Sequence, residues 1–363
     1  MKKLTGIVCL LALMLTLTAC AGAGDWKYED LPGDYAVWRI NSQEIPLVCV
    51  DDDGLTAEPV VEGYSLPDYR GIDPTAVMAP FYACLFGMML SDAGYGLVMA
   101  LLIPVFMKVK HIKFKDAKLL YLLTYGGIAT IVWGLVYNTV FGFHPLPEKL
   151  WLLDAVNNSL PVMGVCIGVG ALHLFAGLGV GAYMNFKRGK PLAALADQIA
   201  WCTLICGLGM LLLEQTKKAG QILAIASVVI ILLFTKRGEK NPFKRIIGGL
   251  SALYGISGWV SDLLSYMRLF GMGLATGVIG MVFNQLIGMI WGAGIIGKII
   301  GAVLFVGCHA FNLGINALGA YVHSCRLQYI EFFGKFYEDG GRPFAPLGVK
   351  PKYVSVQPGE AEK

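Results

Sequence analysis

The sequence places one arginine deep inside a long apolar segment. Arg268 lies in an apolar run over residues 247–290, about 20 residues from either end of that run. An ionisable side chain at such a depth in a membrane span is costly and is by default a functional candidate. Its guanidinium stays charged at any working pH and offers five hydrogen-bond donors. It is therefore suited to act as a counter-ion or as a barrier to proton leakage. An interfacial arginine that reaches the lipid headgroups is the alternative.

A polar stripe lies on the last apolar run. His309, Asn312, Asn316 and His323 are spaced by 3, 4 and 7 residues, which keeps them on one helical face, and Arg326 continues that face. Such a stripe predicts either a hydrated path or an interhelical hydrogen-bond seam. The candidates for lining a path beside the two arginines are Ser261, Asp262, Ser265, His309, Asn312, Asn316 and His323.

Five further polar residues are weaker candidates for the same path. They are Asp92, His173, Asp197, Gln198 and Glu331. The lone histidine among them suits a hydrogen-bonded packing role as well as a proton relay. The two that follow the basic loop at residues 187–190 suit an entry vestibule or simple solvation. We expect Glu331, together with Lys335 and Glu338 beyond it, to be solvated at the cytoplasmic interface.

The composition of the chain identifies the solvent in which these residues lie. Of 363 residues, 56% are hydrophobic and 15% are charged, whereas a soluble domain carries about 25% charged residues. Mean hydropathy is +0.62. These values exclude a soluble enzyme and a disordered chain, and a net charge of +4 is too small for binding to nucleic acid. The sequence therefore predicts an all-α polytopic membrane protein.

Seven or eight transmembrane helices are predicted from the apolar runs. The first run, at residues 77–107, is interrupted by turn residues at 91–96, so it is either one tilted helix or a hairpin that turns at Asp92. Later runs cover roughly residues 118–141, 159–185, 192–215, 220–235, 247–290 and 292–337. The last two are longer than a bilayer core of about 30 Å requires. They must be tilted, extend beyond the membrane, or break at glycines.

Basic residues in alternate loops predict the orientation of the spans. The loops at residues 108–118, 187–190 and 236–245 hold 13 lysines and arginines, and the intervening loops hold four. By the positive-inside rule, the richer loops and the C-terminus face the cytoplasm. A hairpin in the first run then starts residue 76 in the cytoplasm, with eight crossings, and a single span starts it outside, with seven.

The N-terminal segment differs from the rest of the chain. Residues 1–20 have a basic start, an apolar stretch and a bacterial lipobox-like end, Leu17–Cys20, with Cys20 as the candidate for lipidation. An ordinary first membrane helix is the alternative. Residues 21–75 are polar and are expected to form a short hairpin or to stay loose. A transmembrane domain over residues 76–340 and a polar tail over residues 341–363 complete the predicted organisation.

Four stretches, in unbroken order, carry a family resemblance. They are Tyr64-Ser-Leu-Pro with residues 86–96, Leu172-His-Leu-Phe-Ala-Gly-Leu178, Ser265-Tyr-Met-Arg-Leu269 with residues 273–277, and residues 323–337. Over about residues 61–347 the chain resembles the membrane domain of subunit I of V/A-type rotary ATPases, the counterpart of eukaryotic subunit a. The last two stretches are the most specific.

This resemblance implies a mechanism and a set of partners. Two long tilted helices would lie against a rotating ring of c/K proteolipid subunits, and Arg268 would face the carboxylate of the ring between two half-channels for H⁺ or Na⁺. Arg326 would support it from the neighbouring helix. The resemblance further implies contacts with the lipid bilayer, a central-stalk socket and a peripheral stalk. ATP chemistry would occur on other subunits, so no catalytic residue, cofactor or metal is expected in this chain.

The chain also departs from the family. Some eukaryotic members have a carboxylate where Asn316 stands, and an amide cannot relay a proton by titrating. A lipoprotein-like leader occupies the place of the large cytoplasmic domain, and a working lipobox would put residue 76 outside, which contradicts the family topology. We interpret the leader as the result of a gene fusion, a truncation or an assembly artefact. The expected location is the bacterial inner membrane. The alternative functions are a secondary transporter with an intramembrane arginine site and a lipid-anchored structural protein.

Overall fold

The described residues cover most of the apolar part of the chain. The structure, a computed structural model, describes residues 39–40, 43–44, 58–65, 74–111, 118–145, 147, 153, 156, 158–189, 198–211, 216–234, 248, 251, 254–292 and 294–340. The predictions for Cys20, Asp197, the leader at 1–20 and the tail at 341–363 lie outside these residues.

Helices make up nearly all of the described chain, which confirms the predicted all-α class. A short antiparallel hairpin of β1 (Arg39–Ile40) and β2 (Gln43–Glu44) precedes them. The helices are α1 (Glu58–Glu62), α2 (Thr75–Leu90), α3 (Ala93–Val109), α4 (Lys118–Tyr137), α5 (Ser159–Lys187), α6 (Ala200–Leu211), α7 (Lys217–Phe234), α8 (Ile256–Ser265), α9 (Met267–Trp291) and α10 (Gly294–Arg326). A π-helical turn (Leu327–Phe332) and a 3₁₀ turn (Phe333–Lys335) follow α10.

Four segments of the described chain are long and apolar enough to cross a membrane. They are α4, α5, the combined α8 and α9 (Ile256–Trp291), and α10 with its continuation (Gly294–Lys335). The predicted count of seven or eight is not reached among these residues. Helices α2, α3 and α6 have 16, 17 and 12 described residues, fewer than the ~20 that span 30 Å, and the 18-residue helix α7 is also not among the four segments. The protein is nevertheless a multi-pass membrane protein by these four segments.

The first apolar run is a helical hairpin rather than one tilted helix. Ser91 ends α2 in the left-handed conformation, with φ 44°, and the Asp92 carboxylate caps the start of α3. Helix α4 packs against both arms. On α2, residue 87 lies against residue 129 and residue 91 against residue 139, so both numbers increase together. On α3, residues 93, 96 and 99 lie against residues 134, 131 and 127, so one number increases as the other decreases. Helix α2 therefore runs with α4, α3 runs against it, and the chain reverses at residues 91–92.

Both long C-terminal segments are interrupted, but not at glycines. Helix α8 ends at Ser265 and α9 begins at Met267, with tighter i→i+3 bonds to Tyr266 N and Leu269 N across the junction. After Arg326 the chain continues as the π-helical turn. At 1.5 Å per residue, α10 alone is about 50 Å long, so it exceeds the bilayer core of about 30 Å. These two interruptions position the polar residues described below.

The packed core and the bare surface lie on different helices. Helices α4 and α5 are 44% buried over their most apolar windows, whereas the two C-terminal segments are 17% buried. The core centres on α2, with Met88, Met89 and Leu90 fully buried. The exposed apolar side chains of α9 and α10 include Val278, Val282, Leu286, Met289, Ile299, Val303, Phe311, Ile315, Leu318 and Val322.

Candidate functional site

The junction between α8 and α9 presents Arg268. Tyr266, the residue between the two helices, is fully buried. Ser265 is the last residue of α8, and Arg268 lies in the first turn of α9. The Nη2 group of Arg268 donates a hydrogen bond to Ser265 Oγ at 3.1 Å. The other terminal nitrogen, Nη1, is buried and has no hydrogen-bond partner among the described residues. Within the described ranges, the side-chain hydrogen bond to Ser265 therefore holds the guanidinium at Nη2.

A buried carboxylate completes this network from the π-helical turn. Ser265 Oγ donates a short hydrogen bond to Glu331 Oε1. Glu331 is only 2% exposed, so the prediction that it is solvated is wrong. A π-helical turn inserts residues beyond the α-helical period, and the helical pattern of the sequence did not predict this change of register. Arg268, Ser265 and Glu331 thus form one connected network.

Lys335 and Glu338 have opposite outcomes. Lys335 Nζ pairs with Asp262 Oδ2 at 2.5 Å and lies 3.7 Å from the ring centre of Trp259. Its side chain is 16% exposed, so its predicted solvation is also wrong. Glu338 is exposed as predicted, and both of its oxygens accept from Arg188 at 2.5–2.6 Å. The Arg188 guanidinium lowers the pKa of the Glu338 carboxyl below its usual value.

His173 joins α5 to both interruptions. Its Nε2 donates to Gln328 Oε1 at 3.1 Å, because an amide oxygen only accepts. Its Nδ1 then accepts from the Tyr266 hydroxyl at 2.7 Å. The ring stacks on Phe332 with 4.5 Å between centroids. With both nitrogens engaged and the residue fully buried, His173 ties the junction to the π-helical turn.

The part of the polar stripe from His309 to Asn316, which we call the outer seam, is a continuous chain of hydrogen bonds. His309 is bonded at Nδ1 to the Tyr95 hydroxyl at 2.7 Å and at Nε2 to Asn284 Oδ1 at 3.0 Å. Asn312 Nδ2 donates to the same hydroxyl at 2.8 Å and Asn316 Nδ2 donates to Asn312 Oδ1 at 2.6 Å. Asn284 Oδ1 can only accept, so His309 carries its proton on Nε2 and donates it there. Nδ1 of His309 therefore accepts from the Tyr95 hydroxyl. This arrangement favours the interhelical seam for this part of the stripe.

The part of the stripe nearer the end of α10 has fewer hydrogen bonds. His323 Nδ1 is buried without a hydrogen-bond partner in the described part of the chain. Arg326 is exposed and acts electrostatically on Arg268. Ser261 is exposed on α8. Gln198 is partly buried and accepts from Asn185 Nδ2 at 3.1 Å, so it contacts the end of α5.

Asp92 organises the turn of the hairpin. Its Oδ1 accepts from the backbone N–H groups of Gly94, Tyr95 and Phe141 at 2.9, 3.2 and 2.9 Å, and its Oδ2 accepts from Gly142 N at 2.9 Å. The residue is 1% exposed. The structure therefore places this weak candidate at a structural cap, and brings it near the outer seam through the backbone of Tyr95.

Four residues of these networks were not predicted from the sequence. They are Tyr95, Tyr266, Asn284 and Gln328. Asn284 is a polar residue inside an apolar run, and this signal was sufficient to nominate it. Gln328 lies two residues after Arg326 and was hidden by the π-helical register. A tyrosine in an apolar run has the appearance of a core residue, so no sequence signal distinguishes the two tyrosines.

Replacing His309 by leucine tests the seam. The change leaves the O–H of Tyr95 without its acceptor and the Asn284 amide oxygen without its donor, so we expect the protein to lose about 2 kcal/mol of unfolding free energy. Chemical unfolding in detergent measures this loss. Leu318→Ala, on the exposed side of the same helix, is the control, and an equal effect of both variants contradicts the seam.

The fold and the network define a class, that of multi-pass helical membrane proteins with an intramembrane arginine linked through a serine hydroxyl to a buried carboxylate. Residues 256–349 match the family model described as the V-type ATPase 116kDa subunit family. This match covers α8, α9, α10 and the π-helical turn. Arg268, Ser265 and Glu331 are therefore all within the matched region.

Curated relatives extend the similarity towards the N-terminus. The chain is 36% identical over 311 residues to A-type ATP synthase subunit I of Thermococcus kodakarensis, which covers 81% of this chain and 46% of that protein. It is 31% identical over 337 residues to A-type ATP synthase subunit I of Methanocaldococcus jannaschii, covering 82% and 48%. It is 26% identical over 292 residues to V-type ATP synthase subunit I of Borreliella burgdorferi, covering 74% and 48%.

The matched region of this chain belongs to the V/A-type ATPase subunit I family. The chain spans about half the length of the curated relatives it matches.

Proposed function

We propose that this chain is a membrane-embedded stator subunit of a rotary V/A-type ATPase and forms the half-channels for H⁺ or Na⁺ against a rotating c/K ring. The observation that carries the proposal is the Arg268 network. A permanent cation is held inside a membrane segment at Nη2, and Arg268 as a whole is half-buried, so a group outside the chain can approach it. The family of the matched region supports the same reading.

The exposed apolar surface of α9 and α10 is the surface that contacts the ring. Its exposed apolar side chains flank the arginine-bearing turn, and Leu264 precedes it on α8. A ring of apolar helices that turns past this face needs a smooth, weakly bonded surface. Val278, Leu318 and Val322 are exposed side chains of that kind.

Arg268 couples the ring to the ion path by electrostatics. A ring carboxylate that arrives opposite the guanidinium is stabilised in its ionised form and releases its ion towards the exit half-channel. The same fixed charge repels a free cation that would otherwise pass directly between the half-channels. Arg326, on α10, adds a second positive charge beside it.

The two half-channels open at different ends of the stripe. His323, Arg326 and Ser261 suit the cytoplasmic one, because they are exposed or incompletely hydrogen-bonded. The polar groups of the outer seam are hydrogen-bonded to one another, so we assign the outer opening to a small neighbouring pocket. Residues Ser91, Tyr137, Thr139, His144, Val156, Gly273, Leu274, Gly277 and Met281 line it. Gly273 is about one and a half helical turns from Arg268.

The rest of the assignment follows from the stator role. The chain is non-catalytic, and ATP is hydrolysed or synthesised on other subunits. Its partners are the proteolipid ring, the central-stalk socket, the peripheral stalk and the lipid bilayer. Residues 76–340 form the translocation domain in the bacterial inner membrane, with the C-terminus in the cytoplasm.

Arg268→Gln in the assembled complex tests the stator role. Glutamine keeps hydrogen-bond donors but removes the charge, so we expect ATP-driven ion uptake into vesicles to fall to background. Uptake is measured with a pH-sensitive dye and with radioactive Na⁺, and subunit content is checked on the purified complex. Arg188→Gln, which removes the exposed arginine paired with Glu338, is the control. Uptake by Arg268→Gln at the rate of this control rejects the stator role and favours a secondary transporter.

A further inference from the structure

Glu331 has a role in the stator that the proposed function does not assign. We infer that Glu331 is the resident counter-anion of Arg268 and that it acts through the Ser265 hydroxyl. In this role it competes with the ring carboxylate for the guanidinium and speeds the release of that carboxylate. The inference rests on the proposed function and adds a positioning residue to it.

The hydroxyl of Ser265 links the two charges. It accepts from Arg268 Nη2 at 3.1 Å and donates to Glu331 Oε1. A hydroxyl that accepts from a cation and donates to an anion is polarised in one direction by both, which strengthens each bond. The carboxylate therefore acts on the guanidinium through one intervening atom.

Electrostatics at the site identify Glu331 as the balancing charge. Arg326 repels Arg268, and Glu331 attracts it. Asp262, the carboxylate on α8, is already paired with Lys335. A desolvated guanidinium without an anion is strongly unfavourable. Glu331 supplies that anion during the intervals when no ring carboxylate faces Arg268.

Two residues anchor the π-helical turn that carries Glu331. Gln328 is bonded to His173 of α5. The Tyr329 hydroxyl donates to the carbonyl of Val60 at 2.7 Å. These contacts lie outside the Arg268 network, so they fix the carboxylate independently of what binds the arginine. The turn is thus tied to α5 and to α1, and π-helical turns are frequent at functional sites.

The positive charge of Arg268 is shared between two anions. Nη2 is engaged in the internal relay, while Nη1 and Glu331 Oε2 are buried without a hydrogen-bond partner in the described ranges. The ring carboxylate faces the guanidinium of Arg268, which is half-buried, and the internal anion weakens its hold by sharing the same delocalised charge. Without Glu331, the ring carboxylate would be the only anion that pairs with Arg268. It would then bind more tightly and dissociate more slowly.

Two substitutions at one position separate charge from shape. Glu331→Gln keeps the size and an acceptor for Ser265 but removes the charge, and Glu331→Asp keeps the charge but shortens the side chain. In the reconstituted complex we expect ATP-driven uptake by Glu331→Gln to fall roughly tenfold, the factor for about 1.4 kcal/mol. Glu331→Asp should retain more uptake than Glu331→Gln. A purely structural role gives the opposite order, because glutamine is the better steric match.

Further variants test the same role of Glu331 by other substitutions. Ser265→Ala removes the relay without touching the carboxylate and should also slow uptake, and it decides the matter if Glu331→Gln does not assemble. Ser257→Ala and Glu338→Gln, both at exposed positions, are the matched controls. Unchanged uptake in Glu331→Gln or in Ser265→Ala overturns the inference, as does an advantage of glutamine over aspartate. Loss of uptake in Arg268→Gln combined with such a result rejects only the role of Glu331, whereas retained uptake in Arg268→Gln rejects the stator itself.

Discussion

Gly134→Ala is expected to destabilise the protein by about 3 kcal/mol, as severe overpacking of a core does. A Cβ at this position of α4 would lie 2.0 Å from the backbone nitrogen of Ala93 and 2.6 Å from its Cα. These are backbone atoms at the start of α3, so no side-chain rotation relieves the clash. Helix α4 must therefore move away from the hairpin turn, which carries Ser91 and Asp92. Thermal unfolding in detergent measures the loss.

The matched control is Gly164→Ala in the helix α5. Nothing lies within 4 Å of a Cβ at that position, and alanine is favoured over glycine in a helix interior by roughly 0.5–1 kcal/mol. This variant should be as stable as the wild type or slightly more stable. Equal melting temperatures for the two variants would show that the contact between α3 and α4 is not tight.

Asp92→Ala should cost about 4 kcal/mol of unfolding free energy and disrupt the outer seam as well. The substitution removes the acceptor for four backbone N–H groups, of which those of Gly94, Tyr95 and Gly142 are buried. A buried donor without a partner costs about 1–3 kcal/mol, and relaxation of the turn offsets part of the sum. Chemical unfolding measures the total.

Asp92→Asn should remove only part of these hydrogen bonds. Its amide oxygen replaces Oδ1, which accepts three of the bonds, while its NH₂ group faces the fourth donor, Gly142 N. We expect an intermediate loss. Asp339→Ala, at an exposed position, serves as the control. A loss in Asp92→Ala no greater than in this control would mean that the carboxylate does not cap the turn.

Much of the architecture was predictable because burial in lipid constrains sequence strongly. The apolar runs predicted the positions of α4, α5, α9 and α10, and turn residues at 91–96 predicted the hairpin as one of two alternatives. The choice between the alternatives depended on Ser91 in the left-handed conformation and on α4. Neither a tilted helix nor a hairpin is excluded by hydropathy, because both bury the same side chains in the membrane.

The candidate site was predictable in part, for the same reason. Arg268 and the stripe from His309 to Arg326 were evident, because polar groups at depth are rare. The division of that stripe was not evident from spacing alone. His309 is saturated only because Tyr95 and Asn284 arrive from α3 and α9.

The sequence by itself determined that this protein is a helical membrane protein, that Arg268 lies in one of its spans, and which residues share a helical face. These properties follow from hydropathy and from the period of the α-helix, which are local. Only the tertiary structure decided that Glu331 turns inward to Ser265 while Glu338 stays in solvent. That choice depends on a π-helical turn held by His173 and Val60, residues more than 150 positions away along the chain. A contact of that kind has no signature in the local pattern.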